Sequence, residues 1–412
     1  MSLQHTLETA ATALLALSDE SVFYGFSKGY NDITRDKDKN GDGLYCVGEV
    51  VFNTAMTGYQ EILTDPSYHS QIIVFTQPHI GNVGATSLDE EADKIFSRGM
   101  VARKISDHYS NWRATQSLPT YLKQRQMIAI DGIDTRKLTR HLRQQGALNG
   151  CIMVLPPPVA ADETQRADAA KKAIAYAQEF SGLGGAMLAE NASTTQSFEW
   201  DTCEWQQSGD KYKAAGEAQR RVTILDCGVK KNILCALTER GCHVTVLPYT
   251  ANYQMLKASN PDGVLISNGP GDPEPCENAR TLVRQLMNDN IPLFGLCLGH
   301  QIIASALGAK TEKMKFGHHG ANHPVQEQKS GHVFITSQNH GFAVQTDSLP
   351  PQVRVTYRSL FDGTLQGIAA DHPPLITFQG HPEASPGPKD AAVLFNQFVG
   401  LIDQHKQAHA QA

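Results

Sequence analysis

The sequence predicts an α/β protein: a C-terminal domain on a parallel sheet, preceded by a mixed, strand-rich α/β domain. Three observations carry that prediction. From Val222 onward, short apolar runs alternate with helical stretches at regular spacing, as in a parallel sheet covered by helices on both faces. From Ala13 to about Leu155, β-branched and aromatic runs are broken by turn residues, the texture of strands. Between the two lies a polar, alanine-rich stretch opened by Pro156-Pro157-Pro158, which stops regular structure. The expected domains are therefore 1–155 and 221–412, joined by a connector over 156–220 that contains one helix.

In the first part, Glu49-Val50-Val51-Phe52 and Gln71-Ile72-Ile73-Val74-Phe75 read as strands, and the periodicity turns helical around Arg136 to Arg143. The connector helix is expected around Asp162 to Glu179, followed by Gly182-Leu183-Gly184-Gly185 and a polar run to Arg221. In the last part, Val222–Asp226, His243–Leu247, Val264–Ser267 and Leu293–Leu296 read as strands. A helix from Asn232 to Arg240 closes on Gly241. In such folds the active site lies at the carboxyl ends of the strands.

The 412 residues suffice for two or three domains, and 41% apolar with 19% charged residues is a globular composition. A net charge of −6 argues against nucleic acid or an anionic membrane as partner. No apolar run approaches the ~20 residues that span a bilayer. Ala10 to Leu17 is apolar, but no Lys or Arg precedes it and Glu8 lies beside it, which rejects a secretory signal. Eight cysteines without a C-x-x-C pair suit reduced thiols in a cytoplasm. No P-loop or other nucleotide-binding signature is present.

The strongest chemical signal is Gly295-Leu296-Cys297-Leu298-Gly299-His300-Gln301, between a strand and a helix that stops at Gly308. A cysteine at such a turn is held exposed above the sheet, and flanking glycines let the turn close. The helix N-terminus favours a thiolate and offers N–H groups to an oxyanion. The plain alternative is a buried structural thiol, which glycines on both sides disfavour. His381-Pro382-Glu383 follows the apolar run Leu375-Ile376-Thr377-Phe378. In extended chain, residues i and i+2 point the same way, so Glu383 can orient the His381 imidazole. A thiol nucleophile, a base and an acidic orienter form the logic of thiol acyl transfer. Ser267-Asn268-Gly269-Pro270-Gly271-Asp272-Pro273 is either a plain turn or a loop whose N–H groups face the reacting carbonyl.

Together these three motifs resemble the class I glutamine amidotransferases. That resemblance implies that Cys297 attacks the glutamine amide, His381 acts as base and acid, and Glu383 orients it. Backbone N–H groups of Gly269 and Leu298 would make the oxyanion hole, and Gln301 would hold the amino-acid end of the substrate. The N-terminal part narrows the family. The run from Val50 through Asn53-Thr54-Ala55-Met56-Thr57-Gly58-Tyr59-Gln60-Glu61 to Tyr68 resembles the carbamoyl-phosphate synthetase small subunit. So do Pro78–Asn82, Ile133–Arg140, Gly228–Leu234 and Phe316–Pro324. The resemblance runs from about Ala13 to about Gly400. It further implies glutamine contacts from Ser67, reaching in from the other domain, and from Gly271, Asn339, Gly341 and Phe342. It implies L-glutamine as substrate and no cofactor in this chain. The partner would be a large subunit that uses ATP and Mg, docked in part on residues 1–155; further oligomerisation is left open.

His318, His319 and His323 are clustered, but a structural zinc site wants four ligands and no cysteine lies at the usual spacing. A hydrogen-bonding loop and no metal is the expectation. Asp36 to Gly43 copies the first half of a calcium loop, yet the twelfth position is Val47 instead of a closing Glu; a solvated turn is expected. The first dozen residues are extra to the family. Ser18-Asp19-Glu20-Ser21 stands where the family has an Asp-Gly turn, predicting a looser first hairpin. The alternatives kept in view are a glutaminase serving another synthase, a non-catalytic regulatory or scaffolding subunit, and a thiol hydrolase acting alone.

Overall fold

The computed structural model describes residues 11–32, 44–206 and 211–410. The Asp36–Gly43 segment and residues 1–10 lie outside them. The chain divides into two compact units, Met1–Leu183 and Gly184–Ala412. No helix among the described residues is long and apolar enough to cross a membrane.

In the first unit, seven strands close into a barrel: β1 (Ala13–Leu17), β2 (Val22–Ser27), β3 (Tyr45–Asn53), β4 (Gln71–Phe75), β5 (Gly99–Val101), β6 (Ile128–Asp131) and β7 (Leu148–Val154). The order around it is β1-β2-β6-β5-β4-β3-β7. Strands β3 to β6 pair parallel in succession, and the other pairs are antiparallel. The apolar run near the N-terminus is β1, with all five residues buried. Its Leu14 and Ala16 join Cys151 and Met153 of β7 against Ala169, Ala170, Ala173 and Ala177 of the helix Glu163–Glu179. Alanines let that helix lie close on the barrel, and Asp162 caps it by accepting from the Gln165 N–H. Pro156 does end the strand region, but Pro157 and Pro158 open a one-turn helix, Pro157–Ala161, a position where a missing N–H costs nothing. The first hairpin also differs from expectation. It closes with Leu17 N–H to Ser21 O at 2.9 Å and Glu20 N–H to Leu17 O at 3.0 Å. Glu20 takes the left-handed conformation, φ 71°.

The second unit adds β8 (Phe198–Trp200), the hairpin β9 (Thr202–Gln206) and β10 (Lys211–Ala214), then β11 (Arg220–Asp226), β12 (Cys242–Pro248), β13 (Gly263–Ile266) and β14 (Leu293–Leu296). Strands β15 (Thr311–Glu327), β16 (Val333–Val344), β17 (Arg354–Ser359), β18 (Leu365–Ala370) and β19 (Leu375–Phe378) complete it. The ten-stranded sheet runs β16-β15-β17-β18-β19-β14-β13-β11-β12-β8. Its centre, β12-β11-β13-β14-β19, is parallel as the alternation predicted. Antiparallel strands extend both edges, so the whole sheet is mixed. Alternate residues feed two cores. Leu225, Val264, Ile266 and Leu293 pack with the helices Glu277–Asn288 and Leu298–Ala306. Ile224, Leu265, Phe294 and Phe378 pack with Lys231–Thr238 and Val393–Ala410.

Candidate active site

Cys297 occupies the junction between β14 and the helix Leu298–Ala306, with φ 52° and ψ −105°. A non-glycine residue there is strained and persists only where its surroundings fix it. They do. The Cys297 N–H donates to Phe378 O of β19 at 2.9 Å, and the Gly299 N–H donates to Ser267 O at 3.0 Å. Glycine is required on both sides by close packing. A Cβ on Gly299 would stand 2.0 Å from Ile266 O, and one on Gly295 would stand 2.7 Å from Gly299 O.

The loop after β13 lies against this turn. A Cβ on Gly269 would meet Cys227 O at 2.2 Å and the Leu298 side chain at 2.9 Å. Leu298 opens the helix, where N–H groups lack intrahelical acceptors. Gly271 takes φ 86° beside Leu188. From β16, Asn339 O accepts the Cys297 thiol at 3.4 Å, and Phe342 O accepts from Gln301 Nε2 at 2.8 Å. Gly341 sits between them on the same strand. Thus the C-terminal unit gathers Cys297, Gly269, Leu298, Gln301, Asn339 and Phe342 around one turn. Ser67 belongs to the first unit, in the short turn Pro66–Tyr68, where its N–H donates to Asp65 at 2.8 Å.

His381 and Glu383 follow β19, both buried. His381 N–H donates to Ser337 O at 2.9 Å, and its Nδ1 lies 2.6 Å from Glu383 Oε1. The local chain is a turn, closed by Ala384 N–H to His381 O at 3.1 Å, and not the extended segment expected from sequence. His381 Nε2 makes no hydrogen bond of good geometry. Burial would push the imidazole down, but the Glu383 carboxylate and the nearby Cys297 thiol raise it to about 10.

Sequence reading missed Lys230. Its side chain is 2% exposed and its Nζ donates to Glu383 Oε1 at 2.9 Å and to Ala384 O at 2.7 Å. Burial pushes Glu383 up, and the charges of Lys230 and His381 outweigh it, holding the carboxyl at about 2. Asn232 Nδ2 donates to Glu383 O at 2.5 Å. Buried Asp226 shapes the loop carrying Lys230 by accepting from the Gly228 and Val229 N–H groups.

His300 of the cysteine motif is a packing residue. It is fully buried against Thr377 Oγ1 at 2.7 Å, and burial pushes it down to about 3. His319 Nδ1 lies 2.8 Å from Asn339 Oδ1, His318 Nε2 lies 2.9 Å from Asp362, and His323 stacks edge-on to Phe361. Among the described residues, no group of three or more His, Cys, Asp or Glu is arranged to hold a metal. None of the eight cysteines, all among the described residues, forms a disulfide.

This fold and turn define a glutamine amidotransferase of class I, whose family model matches residues 223–401. Residues 15–152 match the CPSase domain of the carbamoyl-phosphate synthase small chain. The chain is 50% identical over 396 residues to the carbamoyl phosphate synthase small chain of Pseudomonas aeruginosa, covering 96% of this chain and 99% of that one. It is 51% identical over 397 residues to that of Vibrio cholerae, with the same coverages, and 48% identical over 398 residues to that of Escherichia coli, covering 96% and 98%. The chain belongs to the carbamoyl phosphate synthase small chain family.

Proposed function

We propose that this chain hydrolyses L-glutamine to glutamate and ammonia through a thioester on Cys297, for a carbamoyl phosphate synthase large chain. The observation that carries the reading is the buried run Lys230–Glu383–His381 ending beside a strained cysteine, in a chain of this family.

Cys297 Sγ gives its proton to His381 Nε2 and attacks the side-chain amide carbon of glutamine. The oxyanion is held by the N–H groups of Gly269 and Leu298. As the C–N bond breaks, ammonia leaves with the proton from His381. His381 then deprotonates water, which displaces glutamate from sulfur and returns the thiol. Glu383 holds the imidazole by Nδ1 and stabilises its charged form. Both N–H groups of Gln301 are spent on Phe342 O and Gln379 Oε1, so its Oε1 is the atom left to receive the α-ammonium group of glutamine. Gly271, Asn339, Gly341 and Phe342 complete the glutamine contacts of this unit in this reading. The ammonia passes to the large chain, which makes carbamoyl phosphate from bicarbonate with ATP and Mg; residues 1–155 contribute to docking it. Eight cysteines outside any disulfide favour the cytoplasm as the compartment.

The test is glutamate release from glutamine by the chain alone, and then with a large chain, bicarbonate and ATP. Stimulation with matching carbamoyl phosphate output is expected. Cys297→Ser should abolish glutamine use while free ammonia still supports the complex. Equal failure with both nitrogen sources would make Cys297 structural.

A further inference from the structure

Gln379 lies directly after β19, two residues before His381, and is fully buried. Its side-chain amide has two neighbours. Oε1 accepts from Gln301 Nε2 at 3.0 Å, and Nε2 points at Cys297 Sγ at 3.8 Å. The orientation of that amide is dictated by the groups around it. Phe342 O is an acceptor only, so Gln301 must present its NH2 group there. The second N–H of the same group then requires an acceptor, which makes the Gln379 atom facing it the oxygen. The Gln379 NH2 is left facing sulfur.

We infer that Gln379 is a further catalytic residue: its amide N–H donates to the Cys297 sulfur and stabilises the thiolate that attacks glutamine. In the resting thiol, the Cys297 S–H donates to Asn339 O at 3.4 Å. Ionisation removes that bond and leaves a carbonyl oxygen facing an anion, which is unfavourable. A donor on the same sulfur offsets this, and a hydrogen bond to a charged acceptor strengthens as the charge forms. Cys297 and Gln379 are both buried, so little solvent competes for the sulfur. The other titratable groups around the thiol are His381, backed by Glu383 and Lys230, with His319 and His340 behind Asn339 and Phe342. Of these only His381 exchanges the proton. Gln379 carries no charge, so its contribution acts on the sulfur without changing the charge of the site. Its anchor, Gln301, also lies in the first turn of the cysteine helix, so the donor is tied to the element that positions the nucleophile.

The inference rests on the thiol reading of the site, and the experiment separates the two. The rate of Cys297 alkylation by iodoacetamide is followed against pH in the full chain, with the Cys297 peptide read by mass spectrometry. Gln379→Leu removes the donor, and Gln379→Glu keeps the shape while replacing the donor with an acceptor. Loss of a charge-assisted hydrogen bond predicts a midpoint raised by about one to two pH units in the Leu variant. The Glu variant should shift at least as far. Glutaminase kcat should fall about ten- to a hundredfold, with a smaller change in KM. His381→Asn is the control. If it moves the midpoint while the folded Gln379 variants do not, Gln379 is structural and the inference is overturned alone. If His381→Asn also leaves the midpoint in place, the thiol–imidazole reading fails with it. Should the Leu variant fail to fold, the Glu variant decides the question by the same midpoint.

Discussion

Replacing Lys230 with Met tests a fully buried ion pair of the site. The Lys230 and Glu383 side chains are 2% and 0% exposed, with Nζ and Oε1 2.9 Å apart. Solvent therefore screens neither charge. Methionine keeps most of the aliphatic stem, so the loss is that of the ammonium and not of packing. Removing one member of a buried pair costs about 3–5 kcal/mol, because Glu383 stays buried after losing this partner, with His381 still beside it. In a unit of this size each kcal/mol shifts the melting temperature by roughly 2–4 °C, so a fall of roughly 6–20 °C is expected by calorimetry. The pH dependence has a definite sign. Glu383 is held at about 2 against an ordinary 4.5, so its stabilisation is present above pH 4.5 and lost as pH falls toward 2. Without Lys230 the Glu383 carboxyl moves back toward 4.5, so the loss below pH 4.5 should be smaller and end at a higher pH. The double variant Lys230→Met/Glu383→Gln removes both charges and should recover much of the stability. If the single variant melts like the parent, or the double variant loses the plain sum of the two single losses, the pair is not coupled and the reasoning fails.

Glu383→Gln should narrow the alkaline loss of stability. His381 is raised from 6.5 to about 10, so its contribution to stability is complete below pH 6.5 and lost as pH rises through 10; in the variant that loss, followed by melting temperature against pH, should be smaller and end nearer 6.5, and an unchanged profile would dissociate Glu383 from the imidazole. Gly299→Ala places a Cβ 2.0 Å from Ile266 O; displacing the cysteine helix should cost about 1–3 kcal/mol or more and most glutaminase activity. Gly341→Ala is the contrast, since nothing lies within 4 Å of its added Cβ: its melting temperature should match the parent, with any effect confined to KM for glutamine.

How much of this was legible in the sequence follows from which interactions are local. The central strands were readable because parallel strands buried on both faces are written as apolar runs, as in Val222–Asp226 and Leu293–Leu296. The cysteine turn was readable because two glycines flank it for steric reasons within one short motif. Barrel closure was not, because it depends on pairings such as β1 with β7, whose partners lie more than 130 residues apart. Strand β8 was read as part of a polar run, since Phe198-Glu199-Trp200 is an edge strand with little to bury. The antiparallel edge strands β15 and β16 are likewise rich in polar and histidine residues.

Lys230 is the instructive omission. It stands beside Lys231, and nothing in the pair says which ammonium is buried; the structure buries Lys230 and leaves Lys231 half-buried. Yet a rule already in hand pointed to it. If functional groups collect at the carboxyl ends of parallel strands, then the end of β11 carries the same expectation as the ends of β13, β14 and β19. Gly269, Cys297 and His381 follow three of those strands. Lys230 follows the fourth, four residues beyond Asp226. Gln379 follows β19 directly, nearer the strand than His381 itself. A motif search stops at residues whose chemistry is familiar, whereas the topology marks positions regardless of residue type. The polar residues left unassigned at those strand ends are therefore where substitutions should alter thiol reactivity.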